Sequence, residues 1–349
     1  MPVIPAGLAV EGVDLAQAFS GARWHDILPR SAVCPTLPVH VLLHAGPPLR
    51  GAPPVPVMNA AIQALLYEEL AADEAQARQL LTAGDVVLEP AQDHGIVTPL
   101  AQVVSASMLL SAVTQHAQTA YGALIEGAAP ALRFGSAARA CRERLAVLNG
   151  HLARSVAPCV RRAPIALDTI IRQAVAAQDE CHSRTGAANA ALVSHIDGLD
   201  GAVAAALLAI PAFVLPVLMA GAAAALRHHH CAVEAIGGNG VEFGLRRRGE
   251  SVWRQVPAHA PTGATAEPRA ISLPAIGDSV VIDYCGLGGQ VDAPELRKAL
   301  LDPSSGIIDD ARIVATGRSP AFNLAILDSA GERGLIGRGT YYPPAALFA

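Results

Sequence analysis

Apolar residues recur along this chain in two rhythms, and the change between them marks its elements. Residues 39–43 (VHVLL) form a short, mainly apolar run, the pattern of a buried strand, and 85–89 (DVVLE) read as the next one. Between them Ile62, Leu65, Leu66, Leu70, Ala77, Leu80 and Leu81 keep helical spacing. Asn59 stands where it can cap that helix, and Gly84 where a left-handed C-terminal cap belongs. His44-Ala45-Gly46-Pro47-Pro48 and Gln92-Asp93-His94-Gly95 read as loops by their turn residues.

Residues 136–196 are mainly helical by pattern, with breaks expected near Pro158 and Pro164. From Ala202 to Leu226 no charge occurs, long enough in principle to cross a bilayer. Alanine dominates the segment, and Pro211 and Pro216 interrupt it, which predicts two buried helices or a helix and an extended link. After residue 237 the texture changes. Gly238-Asn239-Gly240 predicts a turn before a strand at 241–246, and further strands are expected at 279–284 and 312–316, before a glycine-rich end at 334–339. This irregular alternation predicts an α+β, multi-domain fold with a small inserted helical bundle. The expected division is an α/β domain over 1–135, a mainly helical subdomain over 136–210 and a second α/β domain over 211–349.

Composition narrows the function. A chain of 349 residues can bury roughly three quarters of its unfolded surface without a metal or disulfide. Its net charge of −5 argues against a nucleic-acid partner, which calls for a basic face. Lys298 is the only lysine among 25 basic residues; the arginines that make up the rest suit bidentate binding of carboxylate or phosphate, although codon bias produces the same count. The six cysteines form no CxxC pair, so neither a zinc knuckle nor a redox pair is signalled. The N-terminus lacks the basic start and cleavage site of a signal peptide, and a cytoplasmic protein with reduced thiols and no membrane span is expected.

Candidate chemistry is clustered. On a continuing helix, Glu180 and Arg184 of Asp179-Glu180-x-His182-x-Arg184 would share a face, with His182 turned away. Arg184 could hold an anion there while His182 or Glu180 moves a proton; the competing reading is a surface ion pair worth only ~0.3–0.5 kcal/mol. His228-His229-His230 point about 100° apart on a helix, so no metal site is expected. Gly286-Leu287-Gly288-Gly289 lacks the spacing of a nucleotide loop and reads as a turn, and Ser105 and Ser107 lack the setting of a hydrolase nucleophile.

Taken in order, several segments resemble the YlbE-like family, whose members include one component of an oxamate carbamoyltransferase encoded beside an FdrA-like protein. They are Met58-Asn59-Ala60-Ala61-Ile62, Asp93-His94-Gly95 leading to Ser105 and Ser107, Glu126-Gly127 before Leu132-Arg133-Phe134-Gly135, and Asp179-Glu180-x-His182. Asn239-Gly240-x-Glu242-Phe243-Gly244, Ile276-Gly277-Asp278-Ser279, the 286–289 glycines, Ala315-Thr316-Gly317 and Ile336-Gly337-x-Gly339 complete the series. The resemblance covers roughly residues 40–345. Ser183 stands where the family has asparagine, and Asp283 where it has glutamate.

The resemblance implies carbamoyl transfer between phosphate and the amide nitrogen of oxamate. Both ligands are small anions, so arginines and fixed donors matter more than a nucleophile. Catalytic roles are expected for His94, Glu180 and His182, and substrate contacts for Ser105, Ser107, Arg133, Arg184 and Asn239. No metal or cofactor is implied. Expected partners are a small anionic substrate and a second copy or FdrA-like subunits. Two alternatives compete: a non-catalytic scaffold subunit, and a metal-dependent amidohydrolase using His94, His182 and His228–His230.

Overall fold

The computed structural model describes residues 14–267 and 269–349, so most of the N-terminal stretch read for a targeting signal lies outside the described residues. Helices and mixed sheets give the α+β architecture expected. The largest sheet runs in the order Ile96–Val97, Gln118–Ala123, Leu109–Gln115, Ala22–Pro29 and Ile165–Ala166, so it draws strands from both sides of residue 136. Trp24 pairs with Val113 and Val113 with Ala120, and all three side chains are buried.

Over this sheet lies the helix Leu215–His228, buried at every position from Pro216 to Leu226. Each fully buried Leu, Val or Met along it stabilises the fold by ~1.5–3 kcal/mol. Helix and strand come this close because Gly122 has no side chain: a Cβ there would sit 1.9 Å from the Pro216 carbonyl oxygen. The uncharged segment is thus two helices, Gly201–Ala209 and Leu215–His228, and among the described residues no helix is long and apolar enough to cross a membrane. The helical bundle comprises Ala140–Val147, a π-helical turn at Leu148–Leu152, Ala153–Arg162, Leu167–Ala176, Gly186–Ser194 and Gly201–Ala209.

A second core forms where Val41–His44 pairs in parallel with Val87–Pro90 under the helix Val55–Tyr67. The single helix expected from Asn59 to Gly84 is in fact two. Glu69 turns the chain at φ 57°, and Asp73 starts Glu74–Ala83 by accepting the Gln76 N–H at 2.8 Å. Asn59 lies inside the first helix and donates to the Gly135 carbonyl at 3.0 Å.

Two expected strands are helices. Val280–Tyr284 is an apolar run whose periodicity does not separate a buried helix from a strand, and Asp310–Thr316 is started by Asp309, which accepts the Ala311 N–H at 2.9 Å. Pro158 sits inside Ala153–Arg162 rather than breaking it. The turn expected at Gly238–Gly240 falls slightly later, at residues 240–241, between the antiparallel strands Val233–Asn239 and Glu242–Arg247, because Gly238 and Asn239 still belong to the first strand.

Candidate functional site

The Asp179–Arg184 segment is a loop, not a continuing helix. Gln178 and Cys181 adopt φ of 67° and 69°, which ends the helix Leu167–Ala176 and reverses the chain. The two acids build this loop. Asp179 accepts from Cys181 N at 3.0 Å and caps the next helix through Ala187 N at 2.8 Å and Ala188 N at 3.1 Å. Glu180, fully buried, accepts from His182 N at 3.1 Å and from Arg184 N. Burial pushes its carboxyl up, partly offset by the charge of His182 and the Arg184 N–H.

The expected Glu180–Arg184 face therefore does not exist. Arg184 turns outward and pairs with Asp292 at 2.9 Å, half-exposed, as in the surface ion-pair reading but with a different partner. His182 is instead presented inward, where its Nδ1 lies 2.5 Å from Asp283 Oδ2. Burial pulls the imidazole down, but the Asp283 carboxylate outweighs it by charge and hydrogen bond, and the ring ends above its ordinary value. With Nδ1 held by Asp283, Nε2 is the nitrogen left for a ligand.

Asp283 is itself fixed. Its Oδ1 accepts from Gly289 N at 2.6 Å and Asn323 N at 2.9 Å. This explains the glycine cluster: a Cβ at Gly288, whose φ is 57°, would lie 2.4 Å from that same oxygen. The glycines cradle a carboxylate of the chain itself, and the Gly288 N–H bonds the Glu180 carbonyl at 2.9 Å.

His182 opens onto a cavity of about 80 Å³, walled by Leu100, Ala212 and Leu215 and carrying the polar groups Arg133, Ser183, Ser279 and Arg338. Arg133 is 5% exposed; its guanidinium lies 4.5 Å from the Phe134 ring, and its Nη1 has no partner among the described residues. Burial pulls it down to about 10, so it stays charged at neutral pH. Arg338, on the strand Leu335–Tyr341, donates to the Ser183 carbonyl. Next to Ser279, the buried Asp278 ties three loops together by accepting from Gly46 N at 2.8 Å, Thr98 N at 2.9 Å and Gln92 Nε2 at 2.7 Å. The cavity thus gathers three cationic groups and no carboxylate among its lining residues, and is suited to hold a small anion.

Of the eight residues expected at a site, the structure brings Arg133 and His182 to this cavity and sets Glu180 in the loop behind it. His94 pairs with Glu89 at 2.7 Å, and Ser107 bonds Glu68 at the surface at 2.9 Å. Ser105 is buried, and neither serine lines the cavity. Asn239 spends its side chain on the turn, accepting from Val241 N at 2.9 Å and Glu242 N at 2.7 Å and donating to the Pro47 carbonyl at 3.0 Å. His228 stacks on His116 at 4.3 Å, and no three His, Cys, Asp or Glu side chains converge as a metal site among the described residues. The histidines of the amidohydrolase alternative therefore do not meet.

Residues 86–279 match the family described as oxamate carbamoyltransferase subunit AllG. The chain belongs to the AllG family. It is 28% identical to the oxamate carbamoyltransferase subunit AllG of Escherichia coli (strain K12), over 93% of this chain and 92% of that protein. It is equally 28% identical to the uncharacterized protein YahG of the same strain, over 90% of this chain and 79% of that one. The fold is similar to a solved structure, a conserved protein of unknown function from Enterococcus faecalis V583, with a TM-score of 0.85, 24% identity, and coverage of 96% of this chain and 94% of that chain. Three residues to which the sequence reading gave no role at a site, Asp283, Ser279 and Arg338, stand at the cavity or directly behind it.

Proposed function

We propose that this chain is the subunit of a carbamoyltransferase complex that holds oxamate, or a related small carboxylate amide, in the cavity between Arg133, His182 and Arg338. The observation that carries the reading is the meeting of two guanidinium groups with a histidine oriented by a buried aspartate, in a space the size of one small anion. The family name and the AllG relative point to the same substrate class.

In the reaction, the oxamate amide nitrogen attacks the carbonyl carbon of carbamoyl phosphate. A C–N bond forms, the C–O bond to phosphate breaks, and the proton lost from nitrogen ends on phosphate, giving oxalurate. The arginines hold the carboxylate and offset developing negative charge. His182, charged because of Asp283, gives a proton to the departing phosphate and takes one from the amide nitrogen, ending as it began.

Partner subunits, and a cytoplasmic setting, belong to the same proposal. The helix Gly201–Ala209 supports a subunit role: its exposed positions are all glycine, alanine or leucine, with Leu208 50% exposed. The test is phosphate release from carbamoyl phosphate and oxamate by the chain reconstituted with its partner subunits. A His182→Gln variant is expected to lose at least ~100-fold in rate. An unchanged rate would leave the non-catalytic scaffold reading, which that same apolar helix favours.

A further inference from the structure

Arg133 reaches the cavity from one short turn, Leu132–Phe134, and that turn is closed by a buried acid six residues earlier in the chain. Glu126 is 6% exposed, and its Oε1 accepts the N–H of Leu132, the residue just before Arg133. Its Oε2 has no partner among the described residues, and neither has Arg133 Nη1, so two opposite buried charges lie near each other without touching. A carboxylate with one unmet oxygen is costly to bury and calls for a reason.

Other contacts hold this stretch at its backbone. Ala101 N donates to the Arg133 carbonyl at 3.0 Å, Asn59 holds the Gly135 carbonyl at 3.0 Å, and Arg144 Nη1 donates to the Pro130 carbonyl at 2.6 Å. Glu126 differs from these in acting on the N–H that sets where the turn begins. It also feels the guanidinium directly: burial pushes its carboxyl up, while the Leu132 N–H and the charges of Arg133 and Arg144 pull it down.

We propose that Glu126 is a positioning residue for Arg133: by accepting the Leu132 N–H it fixes the turn that carries the guanidinium into the cavity. The inference rests on the reading of that cavity as a site for a small carboxylate. The acceptor, not the negative charge, does this, because a carboxylate beside an anion site by itself weakens anion binding. Glu126→Gln keeps a carbonyl oxygen for Leu132 and removes the charge. Glu126→Asp keeps the charge and withdraws the acceptor by one methylene.

Oxamate titrations of the full chain by calorimetry separate the cases. Glu126→Gln is expected to bind within about threefold of the parent or tighter, and Glu126→Asp and Glu126→Ala at least about tenfold more weakly. In an Arg133→Met background, whose binding is already weakened, Glu126→Ala is expected to cost less than about threefold more, because no cation is left for the turn to position. Thermal melts establish that each variant is folded, and Glu126→Asp stands in if Glu126→Ala is not. No binding by the parent chain overturns the reading of the cavity itself. Parent binding with Glu126→Asp and Glu126→Ala unchanged, Glu126→Gln as weak as Glu126→Ala, or additive losses in the Met background overturns the positioning role.

Discussion

Replacing Asp283 by asparagine keeps an acceptor for the Gly289 and Asn323 N–H groups but removes the charge facing His182. The lost contact spans 2.5 Å between two buried side chains. At an effective dielectric of about 20, the Coulomb attraction over that distance is ~6–7 kcal/mol. Desolvation of both groups cancels part of it, and breaking a buried pair by removing one partner costs ~3–5 kcal/mol. The pH dependence has a definite sign. Folded His182 lies above its ordinary 6.5, so the pair's contribution is fully present below that value and is lost as pH rises through the folded value. In the variant burial, with the Arg338 charge, outweighs the remaining pull of Glu180, so the ring falls below its ordinary value, and stability rises rather than falls with pH across roughly pH 5–7. Urea denaturation at about pH 5.5 and about pH 8.5, with an NMR titration of the His182 ring, measures both effects. The variant is expected to lose several kcal/mol at the lower pH and much less at the higher. A ring that titrates as in the parent, or an unchanged urea midpoint at the lower pH, would refute the assignment of Asp283 as the partner that charges His182.

Three further changes probe the site and its frame. Arg133→Met is expected to weaken oxamate binding about 10–150-fold, the equivalent of one charged hydrogen bond of ~1.5–3 kcal/mol. Because its Nη1 is buried without a partner, the melting temperature is expected to hold or rise, which separates a binding residue from a structural one. Asn239→Ala removes three turn contacts and is expected to cost ~1–3 kcal/mol in urea melts with oxamate affinity unchanged. Gly122→Ala forces a Cβ to within 1.9 Å of the Pro216 carbonyl, and a loss of ~3 kcal/mol or failure to fold is expected by circular dichroism.

The α+β class and the helical bundle were legible from periodicity, because long apolar patterns are local signals, and Pro211 and Pro216 marked the break in the uncharged 202–226 segment. The ordered motif series pointed to the oxamate carbamoyltransferase family, and within it the Asp-Glu-x-His segment drew attention to His182 for the right composition but the wrong geometry. Helical spacing of Glu180 and Arg184 holds only if the helix continues, and left-handed backbone at Gln178 and Cys181, neither a glycine, stops it. Asp283 was noticed as a departure from the family pattern, yet its role was hidden inside the apolar run VVIDY, about one hundred residues from the histidine it holds. Arg338 stood at the unspecified position of Ile336-Gly337-x-Gly339. Asn239 looked like a substrate contact because turns use the same residues as ligand sites, and the 286–289 glycines, read as a turn, gave no sign of the carboxylate they cradle. Only tertiary contact distinguishes the two uses.

The most direct measurement is the thermal stability of the purified chain against oxamate, carbamoyl phosphate and phosphate, repeated with Arg133→Met and Arg338→Ala. A ligand at one hundred times its dissociation constant stabilises the native state by ~2.7 kcal/mol, a readily visible rise in melting temperature. The predicted result is a rise with oxamate that each variant cuts to about half or less. A rise of the same size in both variants, or none in the parent chain, would contradict the placing of the small-anion site at Arg133, His182 and Arg338.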